Sequence, residues 1–179
     1  LKKLDLLINN AGVGVYSSTE KRTKREIEKV VNTNLLGTLY FCLEALKKMK
    51  KRKSGKIINI GSIYGLVSSD KNIYGSSKRN NSEIYSATKA SVIMLTKYLG
   101  SYYADKNIQI NCISPGGVYN YQNKKFVKKY SKKTPAGRMM SLKDFETTLE
   151  FLISEKNNYL IGQNITIDDI YSQTSMNYP

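Results

Sequence analysis

Four short apolar runs divide the chain, and each closes on residues that end a strand. Asp5-Leu-Leu-Ile-Asn-Asn10 runs into Ala11-Gly12, Lys56-Ile-Ile-Asn-Ile60 into Gly61-Ser62, and Ile108-Gln-Ile-Asn-Cys-Ile113 into Ser114-Pro115-Gly116-Gly117; Asn164-Ile-Thr-Ile-Asp168 comes last. Runs this short, bounded by such clusters, read as buried strands. Between them apolar residues recur at three- and four-residue steps over 23–53, 85–103 and 144–154, which predicts helices, with Gly37 marking close packing or a break in the first. Strands alternating with helices imply an α/β fold with a doubly wound parallel sheet in three α/β/α layers. Ligands of such sheets bind beyond the carboxyl ends of the strands, so residues 9–12, Ser62 and 115–117 are expected to cluster. Pro115 is expected to stop its ladder. Residues 63–84 read as a long loop, and the lysine-rich stretch 119–137 as a mobile flap or short helices.

The 179 residues are 40% hydrophobic, enough for a single domain over 1–179. No stretch approaches the roughly 20 apolar residues of a membrane span, so no membrane partner is expected. The first residues lack a signal-peptide core and an initiator methionine, which suggests a cytoplasmic chain without its start. Cys42 and Cys112 stand far apart in apolar runs and histidine is absent, so reduced core thiols and no metal are expected. The net charge of +15 is almost all lysine, arginine supplying five of 29 basic residues. Without arginine readout or a binding motif, nucleic acid is not an expected partner.

One spacing occurs twice: Tyr74-Gly-Ser-Ser-Lys78 and Tyr85-Ser-Ala-Thr-Lys89. A tyrosine and a lysine four apart share a face only on a helix. Tyr85 opens a long apolar-periodic segment, whereas Tyr74 is followed by Gly-Ser-Ser-Lys-Arg-Asn-Asn-Ser, which has neither helix propensity nor an apolar face. Tyr85/Lys89 is therefore the candidate pair and Tyr74/Lys78 reads as loop.

With these residues in view, the chain resembles the short-chain dehydrogenase/reductases, which have Rossmann-type folds. The resemblance rests on Leu7-Ile-Asn-Asn-Ala-Gly12, Asn34 in Val-Asn-Thr-Asn-Leu, Ile58-Asn-Ile-Gly-Ser62, Tyr85-Ser-Ala-Thr-Lys89, Asn111-Cys-Ile-Ser-Pro-Gly-Gly117 and Ile161-Gly-Gln-Asn-Ile-Thr-Ile-Asp168, in the family's order. It implies hydride transfer between a carbinol or carbonyl carbon and the nicotinamide of NAD or NADP, with Tyr85 as general acid/base. Lys89 would hold the nicotinamide ribose and lower the phenol's pKa. An ammonium about 4 Å away is worth roughly 4 kcal/mol at an effective dielectric of 20, a ceiling near three pKa units. Ser62 would bond the substrate oxygen and Asn34 a water linking Lys89 to solvent. Asn10, Ala11 and Gly12 would line the adenosine side, while Pro115, Gly116, Gly117 and Val118 would hold the nicotinamide amide. Asn120 stands where the family usually has a threonine. Taken singly, Asn34 is also a helix residue bonding nearby backbone, Ser62 a turn residue and Pro115-Gly116 punctuation.

The family's first half has no counterpart here: neither its Gly-rich turn nor the strand that reads the ribose 2′ position. In a strand order 3-2-1-4-5-6-7 the chain supplies strands 4 to 7, leaving the 4–8 strand as an edge. Asp168-Asp-Ile replaces the usual Asp-Gly-Gly, placing the C-terminal turn in question. The gap from Ser62 to Tyr85 is longer than the family's common one, so 66–84 reads as an inserted rim of a substrate pocket, with Tyr64 and Tyr74 as substrate contacts. This insertion resembles the subgroup typified by flagellin-modification protein A and other surface-glycan reductases, implying a sugar or nucleotide-sugar substrate. Lys124, Lys125, Lys128, Lys129, Lys132 and Lys133 step at four-residue intervals and suit either an anion or a solvated face. The alternatives are a 3-oxoacyl-[acyl-carrier-protein] reductase, whose acidic carrier would suit the basic flap, and a non-catalytic remnant that only pairs with other subunits. A full-length enzyme would be a homodimer or homotetramer. The 179-residue chain alone is expected to fold weakly and to show no micromolar binding in a titration with NAD(P)H.

Overall fold

The computed structural model describes residues 3–75 and 80–174. Strands β1 (Leu6–Asn9), β2 (Gly55–Ile60), β3 (Ile108–Pro115) and β4 (Asn164–Ile167) form one sheet in the order β1-β2-β3-β4. Every pairing is parallel, with Ile57 opposite Ile110 and Ile113 opposite Ile165. Successive side chains of a strand face opposite ways, and the apolar residues use both faces. Ile57 and Ile110 pack on α2 (Thr38–Arg52) and α4 (Glu83–Tyr103) through Cys42, Leu46, Met49 and Leu99. Ile58 and Ile113 pack on α6 (Leu142–Ile153) through Leu152, Phe145 and Leu149. Each such fully buried side chain contributes about 1.5–3 kcal/mol. The expected three layers are present, and β1 is an edge whose Ile8 is 38% exposed.

α1 (Lys24–Val30) starts at a capping box in which Thr23 and Glu26 satisfy each other's backbone N–H groups. It continues through a wide π turn, Val31–Gly37, into α2. Gly37 keeps helical dihedrals, φ −57 and ψ −51, so the expected break is instead an uninterrupted helix with one loosened turn that carries Asn34. Wide turns of this kind gather at functional sites.

Two expectations are corrected. Pro115 stays in the ladder opposite Ile167, because the bond at that rung comes from Gly116, whose N–H donates to Ile167 O at 2.8 Å. The 63–84 stretch is not all loop: Ile63–Gly65 is a 3₁₀ turn and α3 (Lys71–Tyr74) is a helical turn capped by Asp70. Tyr74 ends that turn, and Gly75 at φ +53 stops it; Lys78 lies outside the described residues. In the 119–137 stretch the short-helix alternative is the one observed: α5 (Lys124–Ser131), capped by Asn123. It is held to α3 by Lys129 Nζ donating to Asn72 O at 2.9 Å, by the Lys133–Asp70 ion pair and by Tyr74 against Phe126 at 5.4 Å.

After β4 the chain turns through Asp169 at φ +50 and Ile170 at φ +60, then enters α7 (Tyr171–Thr174), with Ser172 N–H on Asp168 Oδ2 at 2.7 Å. A β-branched residue in the left-handed region is strained. Ile170 is also half exposed, so little packing is lost when it is trimmed. Ile170→Gly is therefore expected to stabilise the chain by about 1 kcal/mol, read as a higher midpoint in urea unfolding. A lower midpoint would show that the side chain's contacts outweigh the backbone strain.

Candidate active site

The carboxyl ends of β1, β2 and β3 open into a cleft of about 810 Å³. Asn10 and Gly12 reach it after β1, Ser62 and Tyr64 after β2, and Pro115, Gly116, Gly117 and Val118 after β3. Tyr85 and Lys89 enter from α4, and Tyr74 from α3. The predicted clustering at strand ends is thus observed. Ala11 and Asn120 are exposed and lie outside the lining. The Asn120 backbone N–H donates to Gln122 Oε1 at 2.8 Å.

Tyr85 owes its place to the start of α4. Ser82 caps the helix by accepting the Tyr85 N–H at 3.2 Å. One residue on, Glu83 takes Arg22 Nε at 2.7 Å, while Arg22 also donates to Ser17 O at 2.7 Å. The Arg22 side chain is only 2% exposed, so the first loop is clamped onto the helix that carries the candidate tyrosine. Ser62 approaches from the other side. A Cβ on Gly65 would lie 2.8 Å from the Lys89 carbonyl carbon; with hydrogen there instead, the Ser62 turn rests directly on the α4 backbone. That contact brings the Ser62 hydroxyl close enough to the Tyr85 phenol to oppose the rise in its pKa.

Lys89 is 5% exposed. Its Nζ donates to Ile60 O at 2.6 Å and sits 5.7 Å from the centre of the Tyr85 ring. Burial lowers the Lys89 pKa. Burial also raises that of Tyr85, with Ser62 opposing and Tyr16 adding to the rise. The expected lowering of the phenol by Lys89 is therefore not seen in this arrangement, because the ammonium is turned to the Ile60 carbonyl and covers the ring rather than the phenolic oxygen. At neutral pH Tyr85 is a protonated donor. The thiols of Cys42 and Cys112 are pushed up to about 11 by burial, which leaves them unreactive.

Asn34 is committed at both ends of its amide. Oδ1 accepts Val13 N–H at 2.8 Å, and Nδ2 donates to Val13 O at 3.0 Å and Thr88 Oγ1 at 3.3 Å. It ties the first loop to α4 one residue before Lys89. Two further asparagines, unassigned from sequence, brace the strand ends. Asn59 joins Asn9 to Thr96, at 2.8 and 2.9 Å. Asn111 holds Leu160 O and Gln163 N–H, at 2.7 and 3.0 Å.

Sequence reasoning also missed Tyr16, Asn81, Phe126, Tyr130 and Met139 in the lining. Phe126 and Tyr130 are four apart on α5, a stripe that could have marked an inward face; the others carry no local signal. Tyr130 is buried, stacks on Tyr171 at 4.7 Å and accepts Gly117 N–H at 2.5 Å. Among the described residues no group of three His, Cys, Asp or Glu could hold a metal, and no helix is long and apolar enough to cross a membrane. Tyr130→Phe keeps the stack but deprives Gly117 N–H of its acceptor. It is expected to speed amide hydrogen exchange at Gly117 and to cost roughly 1 kcal/mol; unchanged exchange there would show that the hydroxyl does not hold the loop.

The family profile described as short chain dehydrogenase matches residues 1–131. The chain is 31% identical over 170 residues to the 3-oxoacyl-[acyl-carrier-protein] reductase FabG of Chlamydia pneumoniae, covering 93% of this chain and 64% of that protein. Among solved structures, a short chain dehydrogenase from Leptospira borgpetersenii with bound NAD+ is 41% identical with a TM-score of 0.89, covering 94% of this chain and 65% of that one. ElxO with NADP bound is 33% identical with a TM-score of 0.81, covering 96% and 68%. The chain therefore spans 64–65% of the length of the curated relatives it matches.

Proposed function

Because the chain belongs to the short-chain dehydrogenase family, we propose that it carries the catalytic half of an NAD(P)-dependent oxidoreductase that interconverts a secondary alcohol and a ketone. The observation that carries this reading is the Ser62–Tyr85 hydroxyl pair in the cleft, with the buried Lys89 ammonium over the tyrosine ring. The cleft suits the nicotinamide end of the cofactor. Lys89 spends one N–H on Ile60 O and retains two further donors suited to a ribose diol. A Cβ at Gly12 would come within 3.5 Å of that ammonium, so glycine keeps the approach to Lys89 open. Lys89, Gly12 and the side-chain-poor loop of Gly116, Gly117 and Val118 would hold the cofactor, which supplies or accepts the hydride when bound.

In the reducing direction the ketone carbon gains a hydride and its oxygen takes the Tyr85 proton, giving the alcohol. Ser62 gives a hydrogen bond to the same oxygen as negative charge builds on it. Burial keeps the phenol protonated until then. The phenolate left behind is met by the Ser62 hydroxyl, the group that opposes the rise in its pKa. Arg22, Glu83 and Asn34 hold the loop and helix that aim these groups. The relatives bear on cofactor identity by holding NAD+ in one case and NADP in another, so the cofactor is NAD or NADP.

For the substrate, the rim formed by α3 and α5 with Tyr64, Tyr74 and Phe126 favours a sugar or nucleotide-sugar of the kind used in surface-glycan or flagellin modification. The identity to the FabG reductase favours a second reading, a 3-oxoacyl thioester. The outer faces of α2 and α4 leave Phe41, Met94, Tyr98 and Tyr102 exposed, a surface suited to subunit pairing in a homodimer or homotetramer.

In the full-length protein, Tyr85→Phe is expected to lower NAD(P)H-linked ketone reduction about 10²–10⁴-fold, while Tyr74→Phe spares most of it; the reverse result would refute the assignment. Reduction should hold through neutral pH and fall as pH climbs past the raised Tyr85 pKa, whereas alcohol oxidation, which needs the phenolate, should rise over the same range. Activity on acetoacetyl thioesters but not on keto-sugars would overturn the sugar reading.

A further inference from the structure

We propose that the substrate carries an oxyanion, phosphate or carboxylate, and that this group is seated by Lys125 and Lys129 on the α3–α5 wall of the cleft. The proposal rests on the oxidoreductase reading above and names the substrate class within it. Three of the described residues lining the cleft are lysines and none is Asp or Glu. Lys89 belongs to the catalytic end, buried against Ile60 O. Lys125 and Lys129 are one helical turn apart on α5, and both line the cleft.

Neither forms an ion pair among the described residues. Lys129 gives one N–H to Asn72 O at 2.9 Å, which fixes its ammonium at the rim beside Gly75 and leaves two donors for a ligand. The carboxylate on this wall, Asp70, feels Lys129 but is taken up by Lys133 and by Asn72 N–H. Like charges at this spacing on a helix repel, and a bound oxyanion relieves that repulsion while accepting charge-assisted hydrogen bonds. Between the two lysines in sequence is Phe126, whose ring meets Tyr74 at 5.4 Å. Ammonium groups beside aromatic faces suit a ligand with both a ring and an anion, such as a phosphorylated or nucleotide-linked sugar.

The test compares the full-length protein with the double variant K125Q/K129Q and with K50Q/K51Q, which removes the same charge from exposed positions on α2. Circular dichroism confirms that both variants fold. Calorimetric titration with inorganic pyrophosphate is expected to show about tenfold weaker binding in K125Q/K129Q only. The ratio of kcat/KM for a ketose phosphate over a neutral ketose should fall about tenfold in the same variant, through KM. A parallel series with a keto acid tells carboxylate from phosphate by which ratio falls further. Equal pyrophosphate affinity in the two variants, an unchanged ratio for both anions, or faster turnover of a neutral acetoacetyl thioester than of either anion would overturn the proposal. If no ketone is turned over at all, the oxidoreductase reading fails, and the pyrophosphate comparison alone decides the anion seat.

Discussion

The site depends on one backbone contact, the seat of the Ile63–Gly65 turn on α4 at Lys89. β2 delivers Ser62 and α4 delivers Tyr85, and the two hydroxyls meet only if the turn after β2 can lie against the helix without a side chain between them. Gly65 meets that requirement. The neighbouring Gly61 does the same toward β3, where a Cβ would lie 2.6 Å from Ser114 Oγ and 2.9 Å from Cys112 Sγ. Close approach at these two glycines draws the ends of β2 and β3 and helix α4 around a common cleft.

The polar groups around this contact are arranged with few loose ends. Asn34, Asn59 and Asn111 are all buried, and each amide is bonded at both ends. Such amides cost free energy when unpaired and specify geometry when paired. Here they join β1 to β2, the first loop to α4, and β3 to the approach to β4. A rigid frame of this kind is what a proton-transfer pair needs, since a small displacement of the phenol relative to its partner oxygen weakens the transfer steeply. The buried Lys89 fits the same logic: desolvation lowers its pKa, and its bond to Ile60 O holds the ammonium over the tyrosine ring.

The opposite wall is built differently. α3 and α5 are short, and they are joined by an ion pair, a lysine–carbonyl bond, a ring contact and the packing of Ile73 and Tyr74 with Phe126, Val127 and Tyr130. These join residues 70–74 to residues 126–133. The wall therefore combines aromatic faces with positive charge, while the catalytic wall combines hydroxyls with a buried ammonium. On the proposed function, this division would separate recognition of a substrate's distal group from chemistry at its carbonyl.

Sequence alone determined the alternation of strands and helices, the all-parallel sheet and the gathering of residues 9–12, Ser62 and 115–117 at the strand ends, because these follow from local periodicity and turn chemistry. It also put Tyr85, and not Tyr74, at the head of a long helix. Tertiary structure decided what local pattern cannot encode. Lys89 turns to a carbonyl 29 residues away instead of to the phenolic oxygen, so burial raises the Tyr85 pKa where helical spacing alone had suggested a fall. Tyr130 enters the site braced by a ring stack on Tyr171, 41 positions away, and the flap helix docks because α3 is there to receive it. Pro115 remains in its ladder because the neighbouring strand asks for the Gly116 N–H and not its own. Each of these outcomes depends on partners distant in sequence, which only the folded chain brings within hydrogen-bonding or van der Waals reach.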